Sequence, residues 1–248
     1  MNNLVILETV VGSTLHGTVV DDGLEDLDIM AIVVEEPELI IGLYPEESWV
    51  TRTKPEGVRS EAGDTDMIAY GLRKFVRLAL KGNPSVLFPL FAPPSAIRQI
   101  NEFGHSLREI TKSFISKQVY ATFRGYMRQQ HERLLGLRGQ RNITRPELVH
   151  AHGYDTKYAS HIIRLGIQGE ELLLTGKITL PMPLVQRGEV VAIRRGEFTL
   201  AEVSNKIIDA ETRVNMALAN SPLPDNPDSK QVQEWMLNTY LTVWKRNG

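Results

Sequence analysis

The sequence predicts an α+β protein, with a small sheet in its first third and a mostly helical second half. Three observations carry that reading. Short apolar runs rich in Val and Ile, NLVILETVV at 3–11 and LDIMAIVV at 27–34, have the composition of buried strands. From residue 95 onward, apolar residues recur with helical period. Charge is also segregated: residues 20–66 hold fourteen acidic residues against three basic ones, Arg52, Lys54 and Arg59. Residues 112–145 hold eight basic residues against Glu132 alone.

The elements follow in order. Residues 3–11 predict a first strand, and a short helix is expected over Thr14–Thr18. Residues 28–34 predict the second strand. Pro37, Pro45 and Pro55 break regular structure, so 37–57 is expected to be irregular. A third strand is expected over 58–68, ending near Asp66. Ile68, Leu72, Phe75, Val76 and Ala79 form one stripe, which predicts a helix from about Ile68 to Leu80. Gly82 suits its C-terminal cap, and Asn83-Pro84 suits the start of the next helix, which Pro93-Pro94 ends.

Helices are then expected over 95–110, 111–138, 145–152 and 155–175, from near Thr199, and over 229–245. Residues 221–228 read as a linker. The division expected is 1–94, 95–220 as a helical domain closing a cleft, and 221–248 as linker and last helix.

Composition narrows the chemistry. A chain of 248 residues can bury a substantial core. It has no cysteine, which excludes disulfides, thiol catalysis and zinc–thiolate sites. No apolar run approaches the roughly 20 residues of a membrane span. The N-terminus lacks the pattern of a signal peptide, so cytoplasmic residence without membrane association is the expectation. An acidic stretch that collects cations, beside a basic one that collects phosphates, suits metal–nucleotide chemistry; solvated helix faces are the plainer explanation of each run.

The chemistry concentrates near the N-terminus. Gly12-Ser13 is followed, after twelve intervening residues, by Asp26-Leu27-Asp28 at the head of the second strand. Side chains alternate along a strand, so Asp26 and Asp28 point the same way. Two carboxylates on one face repel unless a cation sits between them, and oxygen-only ligands suit Mg²⁺ or Mn²⁺. The Gly12-Ser13 turn can offer backbone N–H groups and a hydroxyl to phosphate oxygens.

This arrangement resembles the polymerase β-like nucleotidyltransferase superfamily, whose pattern is Gly-Ser, a short helix, Asp-x-Asp on the next strand, and a third carboxylate on a later strand. Two further blocks extend the likeness: DMIAYGLRKFVRLALKGNPSVLFPLFAPP at 66–94 and GYDTKYASHIIRLGIQGEELLLTGKITLP at 153–181. Both are similar to a bacterial and phage family of nucleotidyltransferases with a helical C-terminal half, over about 8–200. The resemblance implies a mixed sheet. It also implies that Asp66, four residues before Tyr70, is the third carboxylate, with Asp64 and Glu61 as nearby substitutes. One departure is Glu25, where the family has Ser before Asp-x-Asp.

The implied reaction is Mg²⁺- or Mn²⁺-dependent attack of an acceptor on an NTP, releasing pyrophosphate. The implied mechanism uses two metal ions: Asp26 and Asp28 would hold both, and Asp66 the one nearest the attacking hydroxyl, whose proton it could receive. The acceptor stays open among RNA, protein and a small molecule, as does a homo-oligomer. Two rivals remain: a nucleotide- or RNA-binding protein of this fold without turnover, and a toxin-like or phage transferase modifying tRNA or protein.

Other residues carry paired readings. Ser13 either binds a β- or γ-phosphate or caps a helix. Gly12 allows close approach. His16 either reaches a phosphate or packs on the sheet. Lys81, Asn83 and Ser85, at a helix break, either meet sugar or acceptor or serve capping. Arg73 and Lys74 either balance the carboxylates or are solvated. Lys157, His161 and Arg164 fall at i, i+4 and i+7, either to hold a triphosphate tail or to form a surface stripe. Tyr154 and Tyr158 either stack on a base or pack in the core. Arg124, Arg128 and Arg138, interleaved with Tyr120, Phe123 and Tyr126, could form a nucleic-acid surface, which a pI near 6.3 disfavours.

Overall fold

The computed structural model describes residues 3–20, 26–43, 45–55, 63–137 and 145–247. In chain order the elements are β1 (Leu4–Val10), α1 (Gly12–His16), β2 (Leu27–Val34), α2 (Pro37–Ile41), β3 (Ser48–Arg52), β4 (Thr65–Gly71), α3 (Leu72–Leu80), α4 (Pro84–Phe91), β5 (Ile97–Ile100), α5 (Glu102–Glu109) and α6 (Thr111–Phe114). There follow α7 (Val119–Leu134), α8 (Pro146–His152), α9 (Thr156–Thr175), α10 (Leu184–Arg194), α11 (Leu200–Ala219) and α12 (Ser229–Asn247). The protein is thus α+β with a helical C-terminal half.

It divides into two compact units: residues 1–115 with 226–248, and residues 116–225. The Pro93-Pro94 boundary at 1–94 therefore falls inside the first unit, and the last helix belongs to that unit too.

The first unit is built on a five-stranded mixed sheet of order β3-β4-β2-β1-β5. β2 and β4 run parallel, and every other pair is antiparallel. β2 is central and its last six residues are buried, so it reads as an unbroken apolar run, as a strand covered on both faces should. The unit's fully buried core includes Ile6, Leu7, Leu15, Ile32, Leu72, Phe75, Leu87, Leu107, Phe114 and Ile115.

Several elements differ from expectation, each for a physical reason. The segment 37–57, expected to be irregular, contains α2 and β3. Among the described residues β3 is an edge strand paired only to β4, and its last three residues are exposed, so no apolar pattern marks it. The expected helix over 95–110 begins instead with β5. Asn101 ends that strand and caps α5, its Oδ1 accepting from the N–H groups of Phe103 and Gly104 at 3.0 and 3.1 Å. The expected helix over 111–138 is two, α6 and α7, broken where Ile115 turns extended. Ile68 lies in β4, so the helix expected from it starts at Leu72. The helix α10 has no counterpart among the expectations.

In the second unit α9 is the central helix. Its buried side includes Gly166 and Gly169. An ideal Cβ on Gly166 would lie 2.9 Å from Cβ of Ala210, and one on Gly169 would lie 3.0 Å from the Phe123 ring. Small residues at this spacing let α11 and α7 approach α9 closely.

A buried carboxylate fastens α12 to the sheet. Glu35, directly after β2, is 1% exposed. It accepts from the Leu72 N–H at 2.9 Å and from the Tyr240 hydroxyl at 2.6 Å. Tyr240 in turn accepts from the Arg73 N–H at 2.9 Å, and Trp244 Nε1 donates to the Glu35 carbonyl at 2.9 Å. Gly71 leaves the room: an ideal Cβ there would sit 1.9 Å from Glu35 Oε1. Burial pushes the Glu35 carboxyl above its ordinary range, against the lowering pull of Tyr240 and the backbone donors.

Tyr240→Phe leaves both Glu35 and the Arg73 N–H short of a partner, and should cost about 1–3 kcal/mol. Trp49, Trp235 and Trp244 all belong to the first unit, so urea unfolding followed by tryptophan fluorescence reads this loss directly.

Candidate functional site

The site begins with strand register. β2 and β4 pair in parallel with Asp28 opposite Asp66, and the Leu27 N–H donates to the Asp64 carbonyl at 2.8 Å. Partners in register on neighbouring strands point to the same face. Asp26 stands just ahead of β2. As a result Asp26, Asp28 and Asp66 each present a carboxylate oxygen, and these oxygens all lie within 4.8 Å of one another. All three residues are partly exposed. Three carboxylates gathered so closely form a donor set that fits a hard divalent cation. Asp64 lies outside this group: it is buried at 8% exposure and forms an ion pair with Lys54 at 3.5 Å. Glu61 and Glu25 lie outside the described residues.

Gly12 closes the other side. The Val11 N–H donates to the Asp28 carbonyl at 2.8 Å, and Gly12 follows with φ +65°. An ideal Cβ on Gly12 would lie 2.1 Å from Asp28 Oδ2. Both the left-handed backbone and the lack of space therefore require glycine, and they bring the backbone of the Gly12-Ser13 turn against a carboxylate of the triad. Ser13 is partly exposed, as phosphate access would need. Gly17, with φ +71°, ends α1 after one turn, and its N–H donates to the Thr14 carbonyl at 3.2 Å.

The other singled-out residues of the first unit divide differently. His16 is 2% exposed and packs edge-on against the Phe88 ring at 4.6 Å. Asn83 caps α4, its Oδ1 accepting from the Ser85 N–H at 3.0 Å. Lys81 is exposed at the end of α3, and Gly82, with φ +71°, terminates that helix. Arg73 and Arg77 pair with Glu47, and Lys74 donates to Ser48 Oγ at 2.8 Å. Arg73 and Lys74 are thereby engaged at the β3–α3 side.

In the second unit Lys157, His161 and Arg164 lie along α9, each partly buried. The N-terminus of that helix is capped by Asp155, which accepts from the Lys157 N–H at 2.9 Å and pairs with Arg145 at 2.9 Å. Burial drives the His161 imidazole well below its ordinary pKa of 6.5, and the charges of Arg164, Lys157, Arg194 and Arg145 drive it further the same way. Arg164 keeps some exposed surface, yet burial pushes its pKa down to about 10. Arg145 and Arg194 thus join the basic group. They come from elsewhere in the chain, and no local spacing marks them.

Tyr154 is buried and donates to the Phe198 carbonyl at 2.8 Å, while Arg145 lies over the Tyr158 ring at 5.1 Å. On α7, Arg124 and Arg128 are exposed; Arg128 pairs with Glu132, Arg124 lies over the Tyr120 ring at 6.0 Å, and Tyr120 and Tyr126 are partly exposed. Phe123 is fully buried and Tyr120 donates to Asn215 at 2.8 Å. Arg138 lies outside the described residues.

With this geometry in place, comparison with known proteins is decisive. A family model described as RlaP, RNA repair pathway DNA polymerase beta family, matches residues 2–241. The chain belongs to that family. It is therefore a member of the polymerase β-like nucleotidyltransferases. Among solved structures, a nucleotidyltransferase-like protein from Exiguobacterium sibiricum 255-15 aligns at 11% identity, covering 87% of this chain and 69% of that one, with a TM-score of 0.31. At that score the likeness carries no argument. No curated protein matches the chain. Among the described residues, no helix is long and apolar enough to cross a membrane.

Two outcomes follow from the geometry. Asp66→Asn removes one of three mutually repelling carboxylates, so the metal-free protein should gain stability. It should also lose most of the rise in unfolding temperature that Mg²⁺ or Mn²⁺ gives the unsubstituted protein, read by calorimetry. The second outcome concerns His161. Its folded pKa lies below 6.5, so the unfolded chain takes up the proton first and stability falls as pH drops below about 6.5. His161→Gln should remove that slope, read as amide-exchange protection of α9 between pH 7 and pH 5.

Proposed function

We propose that this protein transfers a nucleoside monophosphate from an NTP to a hydroxyl of RNA, with Mg²⁺ or Mn²⁺ as cofactor. The observation that carries the reading is the approach of the Asp26, Asp28 and Asp66 oxygens within 4.8 Å, beside a turn where only glycine fits. The family's description, an RNA repair pathway, favours RNA over a protein or a small molecule as acceptor.

The chemistry is an in-line displacement at the α-phosphorus. The acceptor oxygen forms a bond to that phosphorus, the bond to the oxygen bridging to the β-phosphate breaks, and pyrophosphate leaves. A divalent ion, when bound, supplies charge compensation for the phosphate oxygens. Asp26 and Asp28, at the head of β2, would hold two such ions, and Asp66 on β4 the one nearest the attacking hydroxyl. Asp66 is assigned the side of the attacking hydroxyl, and a carboxylate oxygen of it takes up the acceptor's proton. Ser13 meets the β- or γ-phosphate through hydroxyl and backbone N–H, and Gly12 permits that approach. Lys157, His161 and Arg164 of the second unit are assigned to phosphate binding, which the basic character of that stretch of α9 supports. His16, Lys81 and Asn83 remain candidate nucleotide contacts, with His16 and Asn83 also serving packing and capping.

The test incubates the pure protein with each α-labelled NTP, Mg²⁺ or Mn²⁺, and cellular RNA. Label should pass to RNA with release of pyrophosphate. The Asp26→Ala/Asp28→Ala double substitution should lower transfer by at least about a thousandfold while leaving the fold intact. Equal transfer by the double variant would remove the aspartates from the mechanism.

A further inference from the structure

β3 is the edge strand next to the metal-capable triad, and its last residue, Arg52, stands directly opposite Asp66 in the antiparallel β3–β4 pair. Asp66 in turn stands opposite Asp28 in the parallel β2–β4 pair. Directly opposed residues share a face, with Cβ atoms about 4.5–5.5 Å apart. Asp28, Asp66 and Arg52 therefore form one row across the sheet. The Gly12-Ser13 turn abuts Asp28 from the β1 side. Across the sheet the order is phosphate-accessible turn, Asp28, Asp66, Arg52.

Arg52 is exposed. Its neighbours are committed: Lys54 to Asp64, Arg73 and Arg77 to Glu47, Lys74 to Ser48. Among the described residues no carboxylate pairs with Arg52. On the same face the strand continues with Val50, 58% exposed, opposite the partly buried Ile68. A guanidinium ending an open apolar shelf, next to a carboxylate cluster, suits a ligand with a phosphodiester and a sugar.

We propose that Arg52 binds the phosphodiester preceding the attacking hydroxyl, so that β3 forms an acceptor subsite selective for a polynucleotide end. This rests on the reading that Asp66 faces the acceptor. A guanidinium contacts phosphate oxygens in a bidentate, charge-assisted manner that lysine reproduces only as a point charge. Val50 and Ile68 offer the sugar an apolar surface. The nucleotide's triphosphate lies on the opposite side, at Gly12-Ser13, so Arg52 separates acceptor affinity from nucleotide affinity.

The experiment measures binding without turnover. A short fluorescein-labelled single-stranded RNA with a free 3′-hydroxyl is titrated with the full-length protein, Mg²⁺ and a non-hydrolysable NTP analogue, followed by anisotropy at several salt concentrations. Arg52→Ala should weaken RNA binding about tenfold and flatten the slope of log affinity against log salt by about 0.7. Affinity for the analogue, measured separately by calorimetry, should stay within about twofold. An RNA whose terminal linkage is a neutral methylphosphonate should bind about tenfold more weakly, and Arg52→Ala should weaken it no further.

Arg52→Lys should recover part of the affinity. Unchanged RNA binding in Arg52→Ala, an equal loss of analogue affinity, additive losses with the methylphosphonate, or no binding of this RNA by the unsubstituted protein would each overturn the proposal. Failure of the transferase reading itself shows separately, as nucleotide transfer that survives Asp26→Ala/Asp28→Ala.

Discussion

The candidate site depends on one pairing, the parallel register of β2 with β4. That register sets Asp28 beside Asp66, and a slip of one residue would send one of the two to the opposite face. Parallel strands need a long connection, and here residues 35–64 provide it. The connection is not idle. It carries Glu35, which anchors the far end of both strands, and β3, which flanks β4 on the outside. The same stretch therefore meets the strand pair at both ends, through Glu35 at one and Arg52 at the other.

The two ends of this strand pair solve opposite electrostatic problems. At the N-terminal end three carboxylates are left partly exposed and close together, an arrangement that costs free energy until a cation arrives. At the C-terminal end one carboxylate is buried and supplied with donors: the Leu72 N–H and the Tyr240 hydroxyl. Raised pKa and full burial mark Glu35 as structural, whereas the partly exposed, closely spaced aspartates form a group that could hold a metal ion. The last helix takes part at the Glu35 end. Although α12 is the most distant element in sequence, Tyr240 and Trp244 return it to the residue that follows β2.

How much of this was legible in the sequence depends on whether a feature is local. β2 announced itself because a central strand covered on both faces must be apolar throughout, and Asp-x-Asp at its head followed. Gly12 was legible as a turn glycine; the φ of +65° and the contact with Asp28 gave that its physical reason. Asp66 was reached through a family resemblance, and only the β2–β4 register brings it to Asp28 and leaves Asp64 to Lys54. β3 was hidden because an exposed edge strand has no apolar period to read. The α5 boundary was hidden because Asn101 both ends β5 and starts the helix. Arg145 and Arg194 were hidden because charges gather in space from positions that share no spacing.

Edge strands carry a general liability, an open row of backbone groups that invites pairing with another chain, and charged residues are one way of blunting it. Arg52 at the end of β3 fits that structural use as well as an acceptor role, and the two uses make different demands on position. Protection would be served by a charge anywhere along the exposed strand. β3 instead has Val50 exposed at its centre and its arginine at the single register position facing Asp66. An arginine opposite an aspartate is also a favourable cross-strand arrangement, so at this register position the charge of Arg52 offsets that of the carboxylate row whichever use it serves. The register therefore places the cation of this edge where it faces Asp66, with the open valine two residues before it on the same face.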